Sequence, residues 1–593
     1  MIALCVLLVL PFLVPLNLYP LPDFPRQFTS LMLITLFSAW TLFRYSDRIR
    51  CPDFLFVVLG FGFVFLFSAF SAPEVASYSW QGYLIFWACA VLAVISGSTL
   101  AEEKGRANFI KMFAGAILVA GLLVGCIALA RYYGVLRHLL PWISEDGSRL
   151  LGPWGQPNLT GLILVLALSA LLFNAENKES YPLKKFIPAS IFLIFTGLLT
   201  GSRAWLLMVV ILIIMPTIWV LLSEYTQSLG KKKSLRPALP DKFRLIVIAL
   251  IVVCYPSVPI IDEKLSEPLI ESGFLDRQKA SDMLERQATF SSNARLEEWK
   301  KVIENFDLVE NPFFGNGLGR YGAFSVAADS KMDDPYRNGK LWTHPHNIFL
   351  IAAVDWGLFG LAAILCFLIW VSIKAYFLEF SADNKFLLSV VAVIFFQNML
   401  EFSFWYFPFL LIFMLACSLL SPGKPLSFSS RALPRFISVS LVVFSLLVGS
   451  YLLRDYVNLS KGFIVEAPSD ELRRSIHQAR GNPLLGDAAY KLEIYRMVPS
   501  VRSVQKQMDK MEALVEWRPE QLFMLRFATL SAAFDDKKVG CERLRRTVEL
   551  FPDTLSTVQK ELEFFSESGV AIDNLVFEEC LLSGMASWIE SGQ

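Results

Sequence analysis

Charge is what this chain has least of. Only 18% of its 593 residues are Asp, Glu, Lys or Arg, against 55% hydrophobic and 14% aromatic, and the mean hydropathy is +0.50. Soluble domains carry about a quarter charged residues, so a wholly soluble or disordered protein is excluded. No excess of one sign exists either: 54 Lys and Arg stand against 53 Asp and Glu, a net charge of +1 that provides no global field for nucleic acid. Histidine is scarcer still, with four residues. The nine cysteines include no Cys-x-x-Cys and no Cys/His spacing of a zinc site. A basic n-region and a small-residue cleavage site are both missing at the N-terminus, so the first apolar block reads as a retained helix rather than a signal peptide.

What the chain does have is long apolar blocks, near 2–18, 28–43, 54–70, 83–99, 109–130, 158–173, 186–200, 204–222, 245–261, 347–373, 386–400, 404–420 and 436–453. Each is long enough, or nearly so, to cross a ~30 Å hydrocarbon core as a helix. They predict an all-α polytopic membrane protein with about 13 transmembrane helices. Successive connections must alternate sides, and one alternating set collects the basic residues: Arg44, Arg48 and Arg50; Lys104, Arg106 and Lys111; Lys178, Lys184 and Lys185; Lys231 to Lys233, Arg236, Lys242 and Arg244; Lys374 and Lys385; Lys424, Arg431 and Arg435. The other set is nearly bare, with Arg26 alone in the first connection. The N-terminus is therefore expected in the cytoplasm, and everything after about 454 outside.

Four regions follow: N-terminal membrane helices over 1–261, a large outer loop over 262–346, C-terminal membrane helices over 347–453, and a soluble helical tail over 454–593. Loops of that length in a compact protein are usually functional. In the tail, Glu516-Trp517-Arg518-Pro519 recurs in kind as Glu549-Leu550-Phe551-Pro552, 33 residues on, the spacing of tetratricopeptide-like helix pairs. An irregular helical domain is the alternative. Seven cysteines sit in or beside apolar blocks as small hydrophobes, while Cys541 and Cys580 share the outer tail and could pair in an oxidising compartment.

Polar residues at block ends carry the candidate chemistry. His344 and His346, in Thr343-His344-Pro345-His346-Asn347, stand where the outer loop re-enters the membrane. His346 is either a general base or a solvated neighbour of the helix cap Asn347 or Thr343. A metal at the histidine pair with Asp329, Asp333 or Asp334 lacks a third ligand of diagnostic spacing. Arg203, in Gly201-Ser202-Arg203 between two apolar runs, is costly at membrane depth unless it is paired or snorkels; a diphosphate would suit its planar fork. Arg295, among Glu297 and Glu298, is by itself an exposed helix residue. Gly152-Pro153-Trp154-Gly155-Gln156-Pro157-Asn158 opens a helix that Asn158 can cap. Gln156 would hydrogen-bond either a sugar hydroxyl or loop backbone. Glu401, beside Phe404, Trp405 and Tyr406, is a carboxylate in a tight turn that needs a partner such as an arginine.

Together these residues resemble the O-antigen ligase superfamily, and within it the bacterial O-linked protein oligosaccharyltransferases. The resemblance rests on His346-Asn347 with Gly357 following, on Gly201-Ser202-Arg203, and on Arg295 with Trp299 and Asn311-Pro312-Phe313-Phe314-Gly315-Asn316-Gly317-Leu318-Gly319. The narrower branch rests on Gly155 to Asn158, on Glu401 with Tyr406, on the outer tail, and on a degraded run through Asn17, Pro20, Phe24 and Gln27. Gln397 and Asp355 depart from the family's usual His and Glu.

The resemblance implies a bacterial inner-membrane glycosyltransferase with a periplasmic active site. It would move an oligosaccharide from undecaprenyl diphosphate to a Ser or Thr hydroxyl of a periplasmic or membrane-surface protein, pilin-like for example, without a cofactor or required metal. His346 would take the acceptor proton. Arg203 and Arg295, with Arg149 and Arg320 as weaker candidates, would hold the diphosphate. Gln156, Asn158, Tyr406 and Glu401 would position sugar or acceptor. A lipid A-core ligase or O-antigen polymerase would share this chemistry. A lipid-linked sugar transporter is the third reading, and it should show paired halves that the sequence does not display.

Overall fold

The computed structural model describes the chain apart from Met1, 15–20, 71–76, 140–148, 178–181, 230–241, 276–292, 332–340, 380, 422, 427–429, 465–469, 498–503, 535, 555–556, 559, 562 and 564–593. Asn17, Pro20, Lys178, Lys231 to Lys233, Arg236, Asp333, Asp334 and Cys580 therefore lie outside the described residues.

Each apolar block of the sequence overlaps a helix among the described residues. Among the described residues six helices are long and apolar enough to cross a membrane: Gln81–Lys104, Arg106–Tyr132, Pro157–Glu176, Lys242–Glu271, Ile348–Phe377 and Ala432–Gly462. Ile2–Leu13, Phe54–Ser68, Arg203–Pro216 and Phe407–Leu419 are apolar but shorter. Phe24–Arg44 has the length but carries Arg26, Gln27 and five hydroxyl side chains, Thr29, Ser30, Thr35, Ser38 and Thr41. The chain is an all-helical membrane protein that divides into two compact units.

The first unit comprises 1–60, 86–290 and 365–449. Its centre is Pro157–Glu176, a helix apolar all round and buried along almost its whole length, as such a pattern requires. Arg106–Tyr132, Leu183–Leu199, Arg203–Leu229 and Ala382–Gln397 pack around it. The close approach of Arg106–Tyr132 depends on Gly121-Leu122-Leu123-Val124-Gly125. A Cβ on Gly121 would lie 2.2 Å from the Ala167 Cβ, and one on Gly125 2.7 Å from the Phe192 ring. Four of the basic connections meet within this unit. There Arg48 pairs with Glu103 (3.2 Å), Arg50 with Glu102 (3.0 Å), Arg431 with Asp47 (2.8 Å) and Lys374 with Asp53 (2.6 Å). A two-residue antiparallel ladder, Arg50–Cys51 with Lys424–Pro425, ties two of those connections.

The second unit comprises 61–85, 291–364 and 450–593. The helices Asp470–Arg480, Gly486–Tyr495, Val504–Trp517, Gln521–Phe534 and Lys537–Leu550 form its tail, in pairs joined by short turns. Tyr490, Ile494, Met511, Leu514, Trp517, Phe523, Phe527 and Leu530 make the tail core. Arg526 is buried against Glu561 and also donates to the carbonyls of Ile494 and Tyr495, both at 2.8 Å. The tail shares a core with the loop, because Val326 of the loop helix Tyr321–Asp329 packs on Met524, Leu550 and Phe551. Cys541 is disulfide-bonded, and the seven remaining described cysteines are free.

Candidate active-site clusters

The first unit gathers one polar cluster at helix ends. Pro157 suits the first helical position because its ring fixes φ and no N–H is needed there, so the helix starts immediately after Gln156. Gln156 is consequently the cap, its Oε1 accepting from the Leu159 N–H at 2.8 Å. This corrects the expectation that Asn158 caps the helix. Asn158 stands in the first turn, where its amide donates to Glu401 Oε1 (2.6 Å) and its Oδ1 accepts from Ser202 Oγ (2.6 Å). The structure thus joins three sequence segments, 156–158, 200–203 and 401–406, through one asparagine. Glu401 is buried, and this amide is one of the groups that meet it.

Arg203 is the first residue of Arg203–Leu229 and is exposed, directly after Ser202. Arg149 donates from Nε to the Thr200 carbonyl at 2.9 Å, bracing the turn in which Gly201 adopts φ +59°. Tyr406 lies edge-on to Trp154, ring centres 5.4 Å apart. Sequence reasoning passed over Arg26, which is fully buried. It donates to the carbonyls of Pro153 and Pro22 (3.3 Å), and lies over the Trp154 ring at 4.9 Å. Arg131 grips the same turn through the Gly152 carbonyl at 2.7 Å. The signal for Arg26 was its isolation as the one basic residue of the first connection.

The second unit builds a different cluster around His346. At φ +53° it is the single non-glycine residue with positive φ among the described residues. L-residues rarely adopt this backbone, and such strain concentrates at functional sites. The half-buried imidazole is flanked edge-on by Trp342 (5.3 Å) and His344 (4.1 Å). Asn347 caps the following helix, accepting from the N–H groups of Phe349 (3.0 Å) and Leu350 (3.4 Å). The capping role and the special conformation of His346 therefore coexist.

After one α-turn that helix widens into a π segment, Ala352–Trp356, which ends at Gly357. The glycine-rich loop docks on it: Asn316 N donates to the Val354 carbonyl (2.8 Å), Gly317 N to the Asp355 carbonyl (3.1 Å), and Leu358 N to the Pro312 carbonyl (2.8 Å). A π segment leaves carbonyls available for such contacts. The side chain of Asp355, which is buried, accepts from Gly319 N at 2.9 Å. Contact is so close that a Cβ on Gly315 would lie 2.4 Å from the Asp355 carbonyl carbon.

Arg295 is half-buried on the helix Asn293–Glu304. A buried charge group fastens that helix to Tyr321–Asp329: Lys301 Nζ lies 2.8 Å from both Glu298 Oε2 and Asp329 Oδ1. Tyr321 donates to Glu298 Oε1 at 3.1 Å, and burial, with Glu298 beside it, pushes the phenol well above its ordinary range. Asp329 is thus engaged by lysine. Among the described residues no group of three or more His, Cys, Asp and Glu is placed to hold a metal ion. Arg320 pairs at 3.4 Å with the exposed Glu310.

Residues 188–365 match the O-antigen ligase family, and residues 385–562 match the family described as virulence factor membrane-bound polymerase, C-terminal. The first match takes in Arg203, Arg295, the glycine-rich loop, His346 and Gly357; the second takes in Glu401, Tyr406 and most of the tail. No curated protein and no solved structure matches the chain.

Proposed function

This chain belongs to the O-antigen ligase superfamily, and from that premise we propose that it transfers an oligosaccharide from undecaprenyl diphosphate to Ser or Thr hydroxyls of a periplasmic or membrane-surface protein. His346 takes the proton of the incoming hydroxyl, which is otherwise a poor nucleophile. Arg203 and Arg295 engage the leaving diphosphate, whose charge develops as the anomeric bond breaks. Arg149, on the Thr200 carbonyl, and Arg320, beside Glu310, are weaker candidates for the same task. Gln156, Asn158, Glu401 and Tyr406 position sugar or acceptor. The observation that carries the reading is the left-handed backbone of His346 at the mouth of a membrane-length helix. In this reading the chain crosses the bacterial inner membrane about 13 times, with a cytoplasmic N-terminus and the 262–346 loop and 454–593 tail in the periplasm. A tetratricopeptide-like tail sharing a core with the loop suits capture of a protein acceptor.

The test is glycan transfer in proteoliposomes containing this protein, lipid-linked oligosaccharide and acceptor extracted from its host. His346→Ala should lower turnover by about 10² to 10⁴. Wild-type turnover in a well-folded His346→Ala variant would return the histidine to a structural role. The match to a polymerase family favours one second reading, a lipid A-core ligase or polymerase. Loss of the gene separates the two: a vanished glycoprotein signal with an intact O-antigen ladder supports the protein acceptor, and the opposite pattern supports the second reading.

A further inference from the structure

His346 must be held in a conformation that its own backbone resists, and the holding contacts are identifiable. On its C-terminal side Asn347 is extended, at φ −153° and ψ 118°, and is fixed by its capping bonds. On its N-terminal side Pro345 has its φ locked by the ring. Freedom remains in the peptide between Pro345 and His346, and a side chain grips that peptide: Trp299 Nε1 donates to the Pro345 carbonyl at 2.7 Å. Trp299 belongs to the helix Asn293–Glu304, and Lys301, two residues on, fastens that helix through Glu298 and Asp329. Arg295 precedes Trp299 by four residues, so the two share a helix face. The indole N–H is therefore a strut between the backbone of the histidine and the helix face that carries the arginine.

We propose that Trp299 is a positioning residue for the transfer reaction, its indole N–H setting the direction of the His346 imidazole by fixing the Pro345 carbonyl. The proposal rests on the reading of His346 as the base. It makes Trp299 necessary for turnover and dispensable for engaging the lipid-linked donor. The removal of one N–H, with the aromatic volume kept, is the change that isolates this role.

Two variants test it in the proteoliposome assay: Trp299→Phe, and the full chain carrying 3-benzothienylalanine at 299, which keeps the bicyclic shape and lacks only the N–H. The expected result is a fall in kcat of about 10- to 100-fold with the donor KM unchanged, while the benzothienyl protein stays folded with a melting temperature only slightly below wild type. A misdirected general base loses part of its contribution to the transition state and none of the ground-state binding. A residue with only a packing role would leave kcat untouched in the isosteric protein. Wild-type kcat there, or a rise in KM without loss of kcat, overturns the proposal. His346→Ala, run alongside, separates the two levels: full activity in that variant defeats the base reading itself, whereas its inactivity beside an active benzothienyl protein defeats only the role of Trp299.

Discussion

Gly357→Ala should be among the most damaging single-methyl additions in the chain. Gly357 has φ +62° and ψ −154°, a region essentially reserved for glycine, and an L-residue held there costs about 1–3 kcal/mol. Space is also absent. The new Cβ would lie 2.6 Å from the Gly315 nitrogen, the Phe313 carbonyl carbon and the Pro312 oxygen, all backbone atoms that cannot rotate away. Overpacking of that kind adds about 1–3 kcal/mol, so the total is about 2–6 kcal/mol unless the loop lifts off the π segment. Either outcome loosens the hydrogen bonds from Asn316 and Gly317 to the Val354 and Asp355 carbonyls. Thermal unfolding in detergent and limited proteolysis across 309–321 read the two outcomes directly. Gly60→Ala is the control, because nothing lies within 4 Å of its Cβ position, and the change improves helix propensity by about 1 kcal/mol. Equal melting temperatures and equal protease resistance in Gly357→Ala and wild type would refute the reasoning.

Lys301→Ala strands the Glu298 and Asp329 carboxylates in a dry site and should cost about 3–5 kcal/mol, whereas Lys331→Ala, whose pair with Asp307 is exposed, should have little effect in the same thermal scan. Arg26→Lys keeps the charge but loses the fork that reaches the Pro153 and Pro22 carbonyls; it should lower the melting temperature, while Arg431→Lys at an exposed pair should not. Cys541→Ser, or reduction of the wild type, should lower tail stability by about 3 kcal/mol, read as faster proteolysis of 470–563. Removal of residues 465–593 takes Met524, Leu550 and Phe551 from Val326; the loop helix should then become protease-sensitive, and an unchanged digestion pattern would show that the loop folds without the tail.

The helices were legible because their apolar blocks are long and continuous, and block ends agree with helix ends to within a few residues in most cases. The count of crossings was less so. Phe24–Arg44 has the length of a crossing but carries Arg26, Gln27 and five hydroxyls, so length and composition point different ways for it. Asn347 as a cap could be read from residue type and position, but Asn158 was misassigned because Pro157, at the first helical position, had more weight than the asparagine after it. Asn158, which meets Glu401, lies 243 residues away in sequence and the carbonyl that Trp299 holds lies 46 away; no local pattern encodes either pairing. The π segment was invisible for a related reason. Its sequence, Ala352-Ala353-Val354-Asp355-Trp356, is ordinary helix, and it widens because the glycine-rich loop supplies donors for its carbonyls.

One physical constraint explains why the polar residues of interest sit where they do. In hydrocarbon a helix must satisfy its own backbone, so its interior offers little but side-chain faces. Helix ends are different, because the first N–H groups and last carbonyls have no partner within the helix and must be met by side chains. Gln156 and Asn347 meet such N–H groups directly. Arg149 meets the carbonyl of Thr200 at the end of Leu183–Leu199. Ser202, Glu401 and His346 occupy the turns next to those ends. A membrane protein that needs a base, cations and hydrogen-bonding groups will therefore assemble them from helix termini. The glycines at positive φ, Gly201 and Gly357 among them, are the residues that let the chain turn sharply enough to leave those termini accessible.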